Sequence, residues 1–532
     1  MTATVPLPTG EQASDAARAR LPLGPRAARA LVLAAVFVCA ACGLVYELAL
    51  VALGSYLIGD SVVQASIVLS VMVFAMGVGS LAAKPLQRHP ASAFAAVECV
   101  LALVGGLSVL GLYAAFAWLD LYQPVLVCVA FAVGALIGAE IPLLMTLIQR
   151  IRRQDAGSAV ADLFAADYLG ALVGGLTFPF ALLPWLGQVR GALAVGMLNA
   201  VAGIAVVLWL FRGEIAGVAR LVLWAAMTVV CGLLALAFVL AGRFEVTARQ
   251  VLFDDPVVVS ERSAYQEIVV TQSQPLRGSA DLRLFLDGDL QFSSIDEYRY
   301  HEALVHPAMA GRHDSVLVLG GGDGLALREI LRYVDVRRVV LVDLDPAVTR
   351  LSRTDPRFRA LNQRAFDDPR VRVVNADAFS WLRSERDLFD SVIVDLPDPD
   401  ASATAKLYSV EFYGLLRGAL APGGRAVVQA GSPYFAPRSF WCVGASMRAA
   451  GLATVAYHVD VPSFGDWGFV LAAPGGVTLA MPADPPPTRF LDSDVLRTAA
   501  VFPKDRRAVP VRPSTLDRPV ILAYARAEWR DY

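Results

Sequence analysis

Apolar residues are concentrated in the first half of this chain. Between residues 30 and 241 the sequence is almost entirely Ala, Val, Leu, Gly and Phe, whereas charged residues return at ordinary density after Arg243. A helix that spans a lipid bilayer needs about 20 mainly apolar residues. Stretches of that length and character lie at 30–52, 62–83, 92–118, 123–148, 162–187, 191–211 and 218–241. The pattern predicts a polar tail at 1–29 and an α-helical, multi-pass membrane domain at 30–241 with about seven hydrophobic helices.

Four carboxylates interrupt these apolar stretches: Glu47, Glu98, Glu140 and Asp167. A charge inside a bilayer is costly and usually faces the interior of a helix bundle or a water-filled cavity. One interpretation is a binding site or path for a cation. The other is hydrogen bonding between helices, in which the carboxyl group serves packing alone. The sequence leaves both open.

The pattern of apolar and polar residues changes after Val251. The short β-like runs Glu267–Thr271 and Leu282–Leu286, the second followed by a turn at Asp287–Gly288, predict a small β-domain at 250–310. From 311 to 480 strand-like and helical stretches alternate, which predicts an α/β, Rossmann-like, doubly wound parallel sheet of the methyltransferase type. The predicted strands are Ser315–Leu319, Arg338–Val342, Val371–Val374, Ser391–Val394 and Gly424–Gln429. The remaining residues, 481–532, are expected to form a C-terminal extension.

Composition excludes several classes of protein. The chain is 56% hydrophobic and 18% charged, and its mean hydropathy of +0.55 is too high for an ordinary soluble or disordered protein. A net charge of −2 with no run of Lys and Arg gives no indication of a nucleic-acid partner. Of the six cysteines only Cys442 lies in the polar half, and no pair has the spacing of metal ligands beside a histidine. We therefore expect neither a metal site nor a disulfide framework.

The most distinctive motif is a glycine-rich turn at the end of the first strand of the α/β domain. Gly320 and Gly322 belong to the run Gly-Gly-Gly-Asp-Gly, and glycines at this place allow a ligand to approach the backbone closely. About 20 residues later Asp343 ends the second strand, where a carboxylate can bind ribose hydroxyls. Asp377, followed by Ala378, ends the third strand and could meet an adenine amino group. The pattern favours a nucleoside ligand over the alternative of structural glycines and solvated acids.

The fourth strand ends in a second acidic motif, which contains Asp395 and Asp398. In an open parallel sheet the carboxyl ends of the strands face one crevice, so both acids should lie near Asp323. Clustered carboxylates suit a substrate that carries amines, and one of them could take the proton that a nucleophilic amine must lose. The alternative is an aspartate that caps a helix and is followed by a turn.

Taken together, these motifs resemble those of the spermidine synthases, or polyamine aminopropyltransferases, of the multi-pass, membrane-bound bacterial type. The resemblance covers about residues 250–480 and rests on Leu286-Asp287-Gly288, on the run from Asp296 to Glu302, on Gly320 to Gly324, and on Asp395-x-x-Asp398-Pro399. The membrane half resembles such proteins more weakly, through its layout and Gly138-Ala139-Glu140-Ile141-Pro142.

The resemblance implies a role for each matching residue. Asp395 would be the catalytic proton acceptor. The nucleoside part of the donor would be bound by Gln266, Gly320, Gly322, Asp343, Asp377 and Ala378. Amino groups and the polyamine would be bound by Tyr300, His301, Asp323 and Asp398.

The implied reaction moves an aminopropyl group from decarboxylated S-adenosylmethionine to putrescine and yields spermidine and methylthioadenosine. Because the sulfonium is already an activated leaving group, no metal is needed, and alignment of amine, carbon and sulfur does most of the work. The decarboxylated donor is thus a cosubstrate, and neither a prosthetic group nor a metal is expected. The expected partners are putrescine or a similar polyamine and the lipid bilayer, without nucleic acid; homo-oligomerisation is left open.

Some positions depart from the family pattern. Leu396 and Pro397 stand between the two acids where small hydroxyl residues are common, and Phe464 stands where a tyrosine often occurs. These changes make the acceptor pocket more apolar and leave the donor site intact. The acceptor amine therefore stays open, as do methyl transfer from ordinary S-adenosylmethionine and a transporter or sensor that binds a polyamine without turnover.

The basic residues indicate the orientation in the membrane. They precede the first stretch, follow the second and follow the fourth: Arg18, Arg20, Arg26, Arg29, Lys84, Arg88, Arg150, Arg152 and Arg153. By the positive-inside rule the tail at 1–29 is cytoplasmic. Seven complete crossings would then place the catalytic domain outside, away from a cytosolic donor. We therefore expect that the Gly- and Pro-interrupted stretch 162–187 does not cross fully, or that another boundary is misplaced, so that 250–532 are cytoplasmic.

Overall fold

The computed structural model describes residues 22–58, 61–119, 121–151, 156–253, 255–274 and 280–528. The chain divides into two compact units, Met1–Asp254 and Asp255–Tyr532. The predicted tail lies outside the described residues up to position 21, and so do the basic residues Arg152 and Arg153.

The first unit is mainly helical in its described residues. Its α-helices are α1 (Pro25–Ile58), α2 (Ser61–Ala82), α3 (Pro90–Ala114), α4 (Tyr122–Ile151), α5 (Ala156–Thr177), α6 (Leu183–Asn199), α7 (Val206–Leu210) and α8 (Gly217–Leu252). Wider π-helical turns occupy Ala115–Leu119, Phe178–Leu182 and Ala200–Ala205. The last helix extends past residue 241, where the sequence pattern placed the end of the apolar segment.

Six helical runs among the described residues are long and apolar enough to cross a membrane, which suggests a membrane protein. The fifth run, Val160–Leu210, has 51 residues and covers the fifth and sixth of the stretches predicted from the sequence, 162–187 and 191–211, apart from the final residue of the latter. Gly187 interrupts it with φ 72° and ψ −178°, a conformation that glycine adopts readily. The run is therefore two helical parts joined at Gly187.

Contacts between helices give the directions of these two parts. On α5, Gly170 and Gly174 lie against the backbone of Phe37 and Ala41, and a Cβ on either glycine would meet a carbonyl oxygen at 2.1 or 2.3 Å. The order of these pairs makes α5 parallel to α1, and glycine is what allows so close an approach.

The same comparison shows that α6 runs the other way. Gly196 lies against Gly106 of α3, and further along α6 Asn199 bonds Glu98, which precedes Gly106, so α6 is antiparallel to α3. Because α3 in turn runs parallel to α1, the chain reverses between α5 and α6. The reversal falls at Gly187, the last residue of the predicted stretch 162–187. This arrangement does not support entry and exit of that stretch on one face, and the side of the membrane that each end faces stays a prediction.

The second unit contains two sheets. The strands are β1 (Val257–Arg262), β2 (Glu267–Gln272), β3 (Leu282–Leu286), β4 (Asp289–Ser293), β5 (Ser315–Gly320), β6 (Arg338–Asp343), β7 (Val371–Asn375), β8 (Phe389–Asp395), β9 (Leu420–Gln429), β10 (Ala453–Val461) and β11 (Gly465–Ala473). The first four form an antiparallel sheet in sequence order, and the other seven form a sheet in the order β10-β11-β9-β8-β5-β6-β7.

The larger sheet has an antiparallel edge, formed by two strands that the sequence analysis did not include. Strands β9, β8, β5, β6 and β7 are parallel, as predicted, but β10 and β11 are antiparallel to each other and β11 is antiparallel to β9. The physical reason is the short connection from Val461 to Gly465, since parallel neighbours need a long crossover and a tight turn permits only an antiparallel pair.

Helices cover both faces of this sheet, which confirms the Rossmann-like architecture. They are α9 (Glu297–Val305), α10 (Leu325–Leu331), α11 (Pro346–Thr354), α12 (Pro356–Leu361), α13 (Ala378–Ser384), α14 (Ser402–Ala405), α15 (Val410–Ala419), α16 (Pro437–Ala449), α17 (Ser493–Ala499) and α18 (Val520–Glu528). Successive strand residues enter different cores: Val316 and Val318 belong to one buried cluster, Leu317 and Leu319 to the other. This alternation is the period of a strand that is buried on both faces.

The C-terminal residues are bound closely to the second unit. The Glu302 carboxylate accepts hydrogen bonds from the backbone N–H groups of Arg489, Phe490 and Leu491, and Ile521 of α18 is fully buried. The extension predicted from position 481 therefore contributes to the core of this unit.

Candidate active site

The glycine-rich turn and the acidic loop after β8 are in direct backbone contact. Gly320 pairs with Asp395 across the strands, and Gly321 N–H donates to the Asp395 carbonyl at 3.1 Å. A Cβ on Gly320 would lie 1.9 Å from that carbonyl oxygen, and the φ of 84° also favours glycine. The turn thus needs glycine to bring the two loops together, and this contact fixes the backbone from which the Asp395 side chain projects.

The donor residues predicted at the ends of β5 and β6 lie together. A Cβ on Gly322 would be 2.5 Å from the Oδ2 atom of Asp343, so this glycine leaves the carboxylate its space. Burial raises the pKa of Asp343 to about 6, against hydrogen bonds from the backbone of Asp345 and Gly322. The amide of Gln266 donates to Asp345 at 3.1 Å, which places it at the same edge of the sheet.

Asp377 already has partners in this structure. It caps α13 by accepting from Ser380 N–H at 2.8 Å, and the Lys406 ammonium donates to its other oxygen at 2.7 Å. Burial acts to raise the pKa of Asp377, but Lys406 and Ser380 outweigh it and lower the value. Ala378, the first residue of α13, is buried beside it. Lys406 was not predicted, because it is distant in sequence and carries no local signal.

The predicted amine-binding residues gather around Asp395. The Tyr300 hydroxyl donates to Asp395 Oδ1 at 2.6 Å. His301, Asp323 and Asp395 each place one nitrogen or oxygen atom within 4.8 Å of the others. Two carboxylates so close together form a site for a positively charged group, either a metal ion or an ammonium.

The charge of His301 bears on the choice between these two. Its Nδ1 lies 2.9 Å from Glu297, whose carboxylate is also bound by both terminal nitrogens of Arg328. Burial lowers the pKa of His301, but Glu297 outweighs this and raises it to about 9. A protonated imidazole has two N–H donors and no lone pair for a metal. With His301 protonated, the two carboxylates of Asp323 and Asp395 are the groups of this set that can bind an ammonium group.

The pKa values of Asp323, Asp395 and Asp398 are all raised, and burial is the main cause in each case. Burial raises the pKa of Asp323 to about 6, while His301 lowers it and Asp395 raises it. Burial also raises the pKa of Asp395, in spite of His301 and the hydrogen bond from Tyr300. For Asp398 burial raises the pKa to about 7, and the hydrogen bond from Gln429 opposes this. Such shifts bring carboxylates toward the range in which they exchange protons with amines near neutral pH.

Two residues that the sequence analysis missed hold the acidic loop. Gln429 ends β9 and donates to Asp398 at 3.1 Å and to the Leu396 carbonyl. The Tyr408 hydroxyl donates to the carbonyls of Leu396 and Pro397 at 3.2 and 2.9 Å. The position of Gln429 at the end of a parallel strand was a usable signal, whereas Tyr408 gave none.

One wall of the site is aromatic. Tyr300, which is 8% exposed, has its ring centre 6.1 Å from that of Phe464, and Phe464 in turn lies 5.1 Å from Trp467. Phe464 stands where the resembled family often has a tyrosine. Its ring offers no hydroxyl, so this side of the pocket contacts a ligand through apolar atoms.

Comparison with known proteins agrees with this chemistry. A family model described as a spermine/spermidine synthase domain matches residues 297–476. "Polyamine aminopropyltransferase 1" of Streptomyces coelicolor is 62% identical over 509 residues, which cover 95% of this chain and 96% of the relative. The chain belongs to the polyamine aminopropyltransferase family. The polyamine aminopropyltransferase of Mycobacterium tuberculosis is 50% identical over 512 residues, 94% of this chain and 97% of that protein.

A solved structure also matches the aminopropyltransferase. It is a spermidine synthase in complex with the transition state analogue AdoDATO, with a TM-score of 0.42 and 25% identity over 46% of this chain and 85% of that chain. The coverage of the curated relatives confirms the predicted family and enzyme class across both units.

The predicted residues of this aminopropyltransferase form two neighbouring groups. Gly322 and Asp343 lie at the ends of β5 and β6, where Gln266, which precedes β2, bonds Asp345. The group around Asp395 lies at the ends of β5 and β8, with Tyr300 and His301 contributed by α9. Asp377 and Ala378 lie at the end of β7, beyond β6 in the order of the sheet. The roles assigned to these residues by resemblance stay predictions.

Proposed function

We propose that this enzyme transfers the aminopropyl group of decarboxylated S-adenosylmethionine to putrescine and forms spermidine and methylthioadenosine. The observation that supports this most strongly is the hydrogen-bonded Tyr300–Asp395 pair, which lies beside Asp323 at the glycine-rich turn. A base, an amine-binding acid and a nucleoside-type turn at one edge of a sheet are what such a transfer needs.

In the proposed reaction the amine attacks the carbon that is bonded to the sulfonium. The nitrogen lone pair forms the new C–N bond, the C–S bond breaks, and its electron pair neutralises the sulfur. The nitrogen then loses a proton to Asp395. Because the pKa of Asp395 is raised, it is a better proton acceptor than an ordinary aspartate, and the Tyr300 hydroxyl keeps the accepting carboxylate oriented.

Donor binding is assigned to the residues at the ends of β5, β6 and β7. Asp343 would bind the ribose hydroxyls, Gln266 the thioadenosine, and Asp377 with Ala378 the adenine. Gly320 and Gly322 would lie against the donor without side chains, and Asp323 would bind its amino group. The last contact would also favour the decarboxylated donor, since the carboxylate of ordinary S-adenosylmethionine would face Asp323.

Acceptor binding is assigned to Asp398, Tyr300 and His301. The pocket offers carboxylates to amino groups and the aromatic wall of Phe464 and Trp467 to methylene carbons. Putrescine, a four-carbon diamine, has this character. Leu396 and Pro397 add apolar surface, so a different diamine or a longer polyamine is the alternative acceptor.

The decisive experiment uses the full-length protein in detergent or lipid nanodiscs. It is incubated with decarboxylated S-adenosylmethionine and a panel of amines, and methylthioadenosine and the new polyamine are measured. We expect methylthioadenosine release that depends on the amine and is fastest with putrescine. Release with another amine would change the acceptor, a methylated amine from ordinary S-adenosylmethionine would indicate a methyltransferase, and binding without any product would indicate a transporter or sensor.

We propose further that residues 250–532 face the cytoplasm, where the cationic donor is made, with the helical unit in the cell membrane. The reversal at Gly187 opposes the simplest route to this topology if the tail at 1–29 is also cytoplasmic. Reporter fusions after Arg190, Gly213 and Arg249, with one reporter active only inside and one only outside, can decide. An outside signal at Arg249 would refute the proposed location and favour a binding role outside the cell.

A further inference from the structure

Three polar side chains meet in the interior of the helical unit. Glu98 of α3 and Asn199 of α6 are fully buried, and Glu140 of α4 is 6% exposed. The Asn199 amide donates to one oxygen of Glu98 at 2.6 Å. We call these three residues the buried cluster. They come from three different helices and lie far apart in the sequence, so the fold itself brings them together.

The two carboxyl groups of the buried cluster lie within hydrogen-bonding reach of each other, and the Cys39 thiol contacts Glu98 as well. Two ionised carboxylates at such a distance repel strongly where water is excluded. The ion pairs that the structure describes in this unit are Arg29–Asp162 and Arg150–Glu214, and neither includes Glu98 or Glu140. The positive charge that would relieve this repulsion must therefore come from a proton or from a bound cation.

Each member of the buried cluster also has an oxygen without a hydrogen bond. Within the described part of the chain, Glu98 Oε1, Glu140 Oε1 and Asn199 Oδ1 have no donor. All three atoms are hydrogen-bond acceptors, so the cluster lacks a group that donates several hydrogen bonds. A primary ammonium carries one positive charge and three N–H groups, which matches this requirement in both charge and number.

The backbone beside the cluster is shaped around the Glu98 carboxyl. Asn199 is followed by the π-helical turn Ala200–Ala205, and within it a Cβ on Gly203 would lie 3.0 Å from the Glu98 carboxyl carbon. Turns of this kind often occur at functional sites, because the extra residue changes the direction of the side chains. By contrast, the other two acids predicted in the apolar stretches, Glu47 and Asp167, are only half-buried.

We propose that Glu98, Glu140 and Asn199 form a binding site for the primary ammonium group of an alkyl amine inside the helical unit. In the empty site a proton shared by the two carboxyls takes the place of the ammonium. The proposal does not depend on which amine the catalytic unit accepts. It chooses the cation-site interpretation of these acids over hydrogen bonding that serves packing alone.

The test measures binding of 1,4-diaminobutane to the full-length protein in nanodiscs. An Asp323→Asn, Asp398→Asn background removes the amine-binding acids of the catalytic unit, so the remaining binding reports on the helical unit. We expect one diamine to bind per chain in that background, with release of a proton that calorimetry in buffers of different ionisation enthalpy can count. Glu140→Gln and, separately, Asn199→Leu should weaken binding at least ~10-fold. Glu47→Gln, the matched control, should leave it unchanged.

Several outcomes would overturn the proposal. They are the absence of binding in the background variant, binding that neither Glu140→Gln nor Asn199→Leu weakens, and binding without proton release. Methylthioadenosine release by the single Glu140→Gln variant is measured in parallel, and we expect it to persist. Loss of amine binding in the helical unit is thereby distinguished from failure of the proposed reaction, because each is read from a different variant.

Discussion

Replacement of Asp395 by Asn examines the proposed chemistry most directly. The amide has the shape of the carboxylate, and its oxygen can still accept the hydrogen bond that Tyr300 donates at 2.6 Å in the native protein. The contact between the Asp395 carbonyl and Gly321 N–H belongs to the backbone and is unaffected. The substitution therefore removes proton acceptance and the negative charge of Asp395, and it keeps the shape of the side chain.

The expected loss follows from this geometry. Removal of a positioned general base costs about 10²–10⁴ in rate, or about 2.7–5.4 kcal/mol. The Asp323 carboxylate belongs to the same group of atoms within 4.8 Å and can take the proton by a less direct route. We therefore expect a decrease in kcat of about 10²–10³, in the lower half of that range. Affinity for the donor should change far less than kcat, because most of the donor contacts are assigned to other residues.

The assay is methylthioadenosine release under saturating donor and amine, together with calorimetric binding of the donor. Tyr300→Phe is the related variant. It keeps the base but removes the hydrogen bond that orients it, so kcat should fall about tenfold although the pKa of Asp395 rises further. Asp387→Asn, an exposed acid paired with Arg338, is the control and should have native kcat. A kcat within tenfold of native for Asp395→Asn would refute the assignment of the base.

Three further predictions concern pH, the glycine turn and the donor. The pKa of Asp398 is about 7 and that of His301 about 9. A plot of kcat/KM against pH should therefore rise as Asp398 ionises and fall at alkaline pH as His301 loses its proton. A His301→Asn variant that kept the fall at alkaline pH would contradict this. Gly322→Ala would place a Cβ 2.5 Å from the Asp343 carboxylate. Donor affinity should therefore fall at least ~10-fold, and the free energy of unfolding should decrease by about 1–3 kcal/mol. Native donor affinity in calorimetry would count against this close approach. The carboxylate of ordinary S-adenosylmethionine should be repelled by the Asp323 carboxylate. This should weaken its binding by several kcal/mol, on the order of 10²-fold or more in affinity, relative to the decarboxylated donor. Equal binding of the two donors would favour methyl transfer.

Much of the site could be predicted from the sequence, because a parallel sheet brings the carboxyl ends of its strands to one edge. Apolar runs of four or more residues identify the strands that end at Gly320, Asp343 and Asp395. That these three residues lie near one another therefore follows from the order of the elements alone. The apolar stretches before residue 241 likewise predicted a helical unit, since length and hydropathy are local properties.

The pairings within the site depended on tertiary structure. Nothing in the neighbourhood of Tyr300 indicates that its hydroxyl binds Asp395, 95 positions away. The same holds for the Lys406 ammonium on Asp377, which lowers a pKa that burial alone would have raised. Such contacts depend on how loops and side chains pack, and a strand or helix pattern carries no information about them.

The two antiparallel strands and the buried cluster show the same limit. An apolar strand is compatible with either direction, and only the tight connection between β10 and β11 decides it. The sequence identified Glu98 and Glu140 as isolated acids in apolar helices, each with two interpretations. Their contact, and the hydrogen bond from Asn199, arise because the direction and rotation of three helices place them at one point of the interior.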